Sequence, residues 1–176
     1  VAAFDPGAWW ERSWARFTER SSGASPAAGV KLQAQWAEDV VGIYALSQLV
    51  NWCCQRGVTV DFAHRNNGVY DSSTKTIVIS NRALPLRQAI YLAHECGHHL
   101  VGPNEKFSHG YERSNDPQFN RTFRHKMACL EEEIEAWNRG RKLLERLGTT
   151  VPSEKFDSVR LECLRSYVKW AGKVGK

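Results

Sequence analysis

Leu86-Arg87-Gln88-Ala89-Ile90-Tyr91-Leu92-Ala93-His94-Glu95-Cys96-Gly97-His98-His99 is the stretch around which the rest of the chain can be organised. Leu86, Ile90, Ala93 and Gly97 recur at helical spacing. Pro85 suits a first helical turn, where its missing N–H leaves nothing unpaired. Gly102-Pro103 stops the helix. On that helix His94 and His98 stand one turn apart on one face. Both imidazoles can then reach one Zn²⁺ at about 2.0–2.1 Å. Glu95, beside the first histidine, is placed to take a proton from a zinc-bound water. The spacing therefore predicts two metal ligands and a general base. The plain alternative is a helix carrying two surface histidines and an exposed glutamate.

Catalytic zinc usually takes three protein ligands. A carboxylate source lies in Leu130-Glu131-Glu132-Glu133-Ile134-Glu135-Ala136-Trp137, on a helix expected from about Lys126 to Leu147 and ended by Gly148. Met127, Leu130, Ile134, Trp137 and Leu144 mark its expected buried stripe. Glu133 borders that stripe, whereas Glu131, Glu132 and Glu135 fall progressively outward. An acidic run is ordinarily a solvated helix face. Here Glu133 is the first choice of ligand and Glu132 the next, since a helical wheel does not resolve one position.

Four segments together resemble the ImmA/IrrE-type zinc peptidases and, more broadly, a minimal gluzincin. They are Gly68-Val69-Tyr70, Thr76-Ile77-Val78-Ile79-Ser80, Ala93-His94-Glu95-Cys96-Gly97-His98-His99-Leu100 and Glu133-Ile134-Glu135-Ala136-Trp137. The resemblance covers roughly residues 30–147. It implies a zincin-like fold with zinc on His94, His98 and Glu133, and Glu95 as the base. It also implies a protein substrate. Trp137 departs from the pattern, because the family has Asn there, or Asp in the larger gluzincins. That residue commonly supports a ligand, and an indole cannot accept a hydrogen bond. The partner that orients His94 or His98 is thereby left unassigned.

The chain has 176 residues, ample apolar content and seven tryptophans, as expected of one compact soluble domain. No apolar run reaches the roughly 18 residues of a membrane span. Val1-Ala2-Ala3-Phe4-Asp5 shows no secretory leader. Cys53, Cys54, Cys96, Cys129 and Cys163 match neither a paired zinc spacing nor a secreted disulfide framework. They read as reduced thiols of a cytoplasmic protein. Cys96, two residues past His94, should point away from the metal. A net charge of +5 is too small to demand nucleic acid, and no membrane partner is indicated.

The expected fold is α+β and mostly helical, with a small antiparallel sheet beside the metal helix. Residues 1–29 form a Trp-rich helix, with Trp10, Trp14 and Phe17 on one side, and a small-residue linker over 21–29. That aromatic stripe docks on the domain or on a protein partner. Residues 30–176 form the catalytic domain. It opens with a helix from about Lys31 to Arg56, striped by Leu32, Trp36, Val40, Ile43, Tyr44 and Val50. Val58–Phe62 reads as a strand, and Gly68–Tyr70 pairs with Thr74–Ser80 in a hairpin. The last helix, from about Ser153 to Trp170, turns Phe156, Val159, Cys163, Tyr167 and Trp170 inward. The function expected of these parts is peptide-bond hydrolysis. An extended peptide would add to the strand Thr76–Ser80. His109, Tyr111 and His125 are candidates to stabilise the oxyanion. His99 is expected at the surface or behind a ligand, and His64 in a turn. The rival expectation is a catalytically silent protein of the same fold, acting as a structural or interaction module.

Overall fold

The computed structural model describes residues 26–64, 68–102 and 122–172, together with positions 11 and 15. Four helices and three strands follow in the order α1 (Pro26–Cys54), β1 (Thr59–Ala63), β2 (Val69–Asp71), β3 (Thr76–Ser80), α2 (Pro85–Val101), α3 (Phe123–Arg146) and α4 (Ser153–Ala171). This is an α+β fold in which helix dominates. Trp10, Trp14 and Phe17 lie outside the described residues, as do His109 and Tyr111. Helix α1 already begins at Pro26, so residues 26–29 extend it rather than a linker. Among the described residues no helix is long and apolar enough to cross a membrane.

The sheet is mixed, not antiparallel. Its order is β1-β3-β2, with β1 parallel to β3 and β2 antiparallel to it. The hairpin β2–β3 is the expected one. Asp71 closes its turn by accepting from the Ser73 N–H at 2.9 Å and the Ser73 hydroxyl at 2.6 Å. β1 arrives along the other edge of β3, in register Val60↔Ile77 and Phe62↔Ile79. Both edges of β3 are therefore occupied, and no peptide can add to Thr76–Ser80. Ile77 and Ile79 are fully buried, which is the burial expected of a central strand.

Helix α2 is the centre of the molecule. Leu86, Ala89, Ile90, Leu92, Ala93 and Cys96 are buried in one core with Ala45, Leu46, Leu49, Trp52 and Cys53 of α1 and with Ile77 and Ile79 of β3. Such a helix needs apolar or small residues around most of its circumference, and its sequence supplies them. The Gln88 amide also donates to the Ser80 carbonyl at 2.9 Å and fixes the start of α2 to the sheet.

The packing of α3 on α2 departs from the expected stripe. Glu133, Ala136, Trp137, Gly140, Leu143 and Leu144 are buried, whereas Met127, Leu130 and Ile134 are only half-buried. Small residues mark the contact because the two backbones nearly touch. A Cβ on Gly97 would lie 1.9 Å from the Ala136 carbonyl oxygen, and one on Gly140 would lie 2.4 Å from that of Ala93. Interhelical distance follows the side chains at the contact, and glycine allows the smallest. On α1, Tyr44 is exposed, because the inward face is Ala45, Leu46, Leu49, Trp52 and Cys53. Helix α4 covers the outer side through buried Phe156 and Val159, with Cys163 and Tyr167 half-buried and Trp170 largely exposed.

Gly97→Ala and Gly140→Ala should each destabilise the protein by about 1–3 kcal/mol or more, since the added methyl meets backbone rather than a movable side chain. Urea unfolding of both variants checks this, and unchanged midpoints would contradict the close crossing.

Candidate metal centre

His94, Glu95 and His98 face the gap between α2, α3 and β2. Their ligand atoms all lie within 4.8 Å of one another, a grouping that can hold a metal ion. The two imidazole Nε2 atoms are 3.3 Å apart. The crossing at Gly97 and Gly140 sets Glu133 against both. Its Oε2 is 3.3 Å from His94 Nε2, and its Oε1 is 3.4 Å from His98 Nε2. The Nε2–Nε2 separation matches the ligand–ligand edge of about 3.3–3.4 Å at a tetrahedral zinc. The Glu133 contacts are made by two different oxygens, so the carboxylate fits such an ion by its chemistry and its proximity to both rings.

Glu132 takes a different place. Its Oε1 lies 3.6 Å from Nδ1 of His98, the ring nitrogen away from Glu133. Glu131 points to solvent, and Glu135 pairs with Arg139 at 2.8 Å. Of the acidic run, only Glu133 touches both Nε2 atoms among the described residues.

Glu95 is buried beside the pair and tethered from the sheet. Its carboxylate accepts the backbone N–H of Tyr70. Gly68 makes room for it, since a Cβ there would sit 2.8 Å from Glu95 Oε1. The short strand β2 thus decides where this carboxylate stands.

Trp137 is fully buried against His94. The two rings stack with centroids 4.1 Å apart and planes 18° from parallel. Nδ1 of His94 and Nε1 of Trp137 are both buried and find no hydrogen-bond partner. Position 137 therefore presents an aromatic face, not a hydrogen-bond acceptor, to His94.

His99 is half-buried, behind the histidine pair rather than free at the surface. Its Nδ1 hydrogen-bonds the Tyr70 hydroxyl at 2.8 Å, and its ring meets Trp52 edge-on at 5.9 Å. It joins α1, α2 and β2 behind the histidine pair. His64 pairs with Asn81 and Arg82 at the end of β1, and residues 65–67 of its expected turn lie outside the described residues. His125 stands 3.5 Å from Cys129 Sγ and edge-on to Trp170 at 6.0 Å. Cys96 points away from the centre, with its Sγ 3.4 Å from that of buried Cys53. Sequence reasoning missed the roles of Gly68, Tyr70 and Glu132. A glycine before a strand and one more acid in an acidic run carry no signal until the elements are packed.

The ionisable groups of the cluster compensate one another. Burial would push the Glu133 carboxyl up, but hydrogen bonds from His94 and His98 outweigh it and hold it at about 2. Burial would push His98 down, yet Glu132 and Glu133 raise it to about 10. Burial lifts Glu95 above the usual carboxylate range, partly countered by the neighbouring histidines.

A dication must compete with a proton on His98, whose hold Glu132 and Glu133 strengthen. Raising the pH removes this competitor, so apparent zinc affinity should rise by about tenfold per pH unit for each proton released. Chelator competition at pH 6, 7 and 8 checks this, and a flat profile would exclude displacement of a histidine proton. No protein-family model, curated protein or solved structure matches the chain significantly, so the reading of this site rests on its own geometry.

Proposed function

We propose that the chain is a zinc-dependent metalloendopeptidase of the ImmA/IrrE-like, gluzincin kind, with His94, His98 and Glu133 as ligands and Glu95 as general base. The observation that carries this reading is the contact of the Glu133 carboxylate with both Nε2 atoms, at 3.3 and 3.4 Å. Residues 39 and 35 positions apart in the chain make that contact. When bound, the ion supplies Lewis acidity, activating water and polarising the carbonyl of the scissile bond.

The residues of this chain do the rest. Glu95 takes a proton from the attacking water on its carboxylate and delivers it to the departing amine. Its burial beside the histidine pair favours proton uptake, and the Tyr70 N–H keeps it from swinging away. Glu132 holds the His98 ring by its far nitrogen. The substrate backbone follows β2, the edge strand beside Glu95, rather than the central β3. An open cleft of about 310 Å³ reaches Glu133 between α3 and α4, lined also by Cys129, Ser166, Tyr167 and Trp170. It offers room for one side chain of an extended peptide. His125, in contact with Cys129 and Trp170, borders this cleft and is the described candidate for the oxyanion. The free thiols accord with a reducing, cytoplasmic setting.

A second reading has one observation in its favour. The unpartnered Nδ1 of His94 is a departure from a well-supported metal ligand, as a catalytically silent descendant would show.

Glu95→Gln separates the two. The amide keeps the shape of the carboxylate but takes no proton, so cleavage should fall by about 10²–10⁴-fold or more while zinc content and melting temperature hold. The measurement is the appearance of new peptide termini after incubation of each protein with a lysate of its native host. New termini in both samples would point to a contaminating protease or to a base other than Glu95. None in either, at one zinc per chain, would establish the silent reading. Zinc retained by a His94→Ala, His98→Ala double variant would defeat the metal site itself.

A further inference from the structure

We propose that Trp137 is the positioning residue of His94, holding the ligand ring by stacking where a hydrogen-bond acceptor would otherwise hold it. The inference rests on the metal reading above and concerns how the centre is built rather than whether it turns over. The two histidines are supported in different ways. His98 turns Nε2 to Glu133 and has a carboxylate, Glu132, 3.6 Å from its Nδ1. His94 also turns Nε2 to Glu133, but its Nδ1 has no partner. An imidazole that ligates through Nε2 carries its proton on Nδ1, and that proton ordinarily goes to a carboxylate or carbonyl. On His94 the indole face takes over the task of fixing the ring.

The indole is itself immobilised. Trp137 is fully buried and meets Phe156 of α4 edge-on, with centroids 5.5 Å apart at 85°. The stack on His94 at 4.1 Å and 18° leaves the imidazole little freedom about its outer torsion. A stack orients a ring as a hydrogen bond does, but it withdraws no proton from Nδ1 and so leaves the ligand less basic. Two consequences follow. Metal affinity depends on the aromatic face at position 137, not merely on the volume filled there. His94 is the weaker of the two imidazole donors.

The test compares Trp137→Phe with Trp137→Leu in the full chain. Both shorten the same buried side chain, but only Phe keeps a ring to stack. Zinc affinity is read by chelator competition, and ligand geometry by the visible absorption of the Co²⁺-substituted protein. Melting of the chelated proteins reports the packing loss that both share. Trp137→Phe should bind zinc close to wild type with the same Co²⁺ spectrum. Trp137→Leu should bind about 10–100-fold more weakly with an altered spectrum. Equal affinities and equal spectra for Phe and Leu would overturn the proposal. Should either variant fail to fold, ¹⁵N-histidine NMR of the zinc-loaded wild type decides. The His94 Nδ1 proton is expected well upfield of the His98 one, as befits an unpaired N–H over an aromatic ring. Two equally downfield, hydrogen-bonded protons would overturn the proposal. A wild-type protein that binds no zinc would bring down the metal reading as a whole, an outcome distinct from either of these.

Discussion

The close approach of α2 and α3 is the constraint on which the rest of this structure depends. Glycine at 97 and at 140 lets each helix press its backbone against a carbonyl of the other. Only at that separation does a glutamate side chain from α3 span to two imidazoles on α2. Wider spacing would leave Glu133 short of the Nε2 atoms and would open the core around Ala93, Cys96 and Ala136. The residues that place the centre are thus not the ones that compose it. The same crossing orders the polar shell, because it presents Glu132 to one histidine and Trp137 to the other.

A group of buried ionisable side chains is tolerable only if their charges compensate. Glu133 and Glu95 are both buried carboxylates, yet their protonation is driven in opposite directions. Glu133 is flanked by two imidazoles and stays ionised. Glu95 has burial working against its charge, only partly countered by His94, His98 and the Tyr70 backbone N–H. The two carboxylates are driven in opposite directions by environment alone. The centre needs positive charge from somewhere, and a proton on His98 or a bound dication can supply it.

Ion pairs brace the helices around this core. Arg139 reaches both Glu135 and the Leu100 carbonyl, and Arg141 pairs with Asp157 while lying over the Phe156 ring at 4.6 Å. Arg139 and Arg141 thus brace α3 against α2 and α4. Tyr70 serves twice, through its hydroxyl to His99 and its backbone N–H to Glu95. A strand of three residues with so little area of its own is held to the helices by those two bonds.

Read as a sequence, the chain discloses whatever is local. His94, Glu95 and His98 share a helix, so their mutual placement follows from helical geometry alone. The helices and the β2–β3 hairpin are likewise written in apolar periodicity and turn residues, with ends correct to within a few positions. Contacts between elements are not written that way. The parallel pairing of β1 with β3 depends on how the chain crosses over the core, and it closed the edge that a substrate strand was expected to use. The buried face of α3 is that of Glu133, Ala136, Trp137 and Gly140 rather than that of Met127, Leu130 and Ile134, because Gly140 and Ala136 let that side press onto α2. Glu133 over Glu132, the tether of Glu95 to Tyr70 and the stack of Trp137 on His94 are all decided there. Each depends on a distance between segments far apart in the chain, and such distances exist only once the backbones have packed.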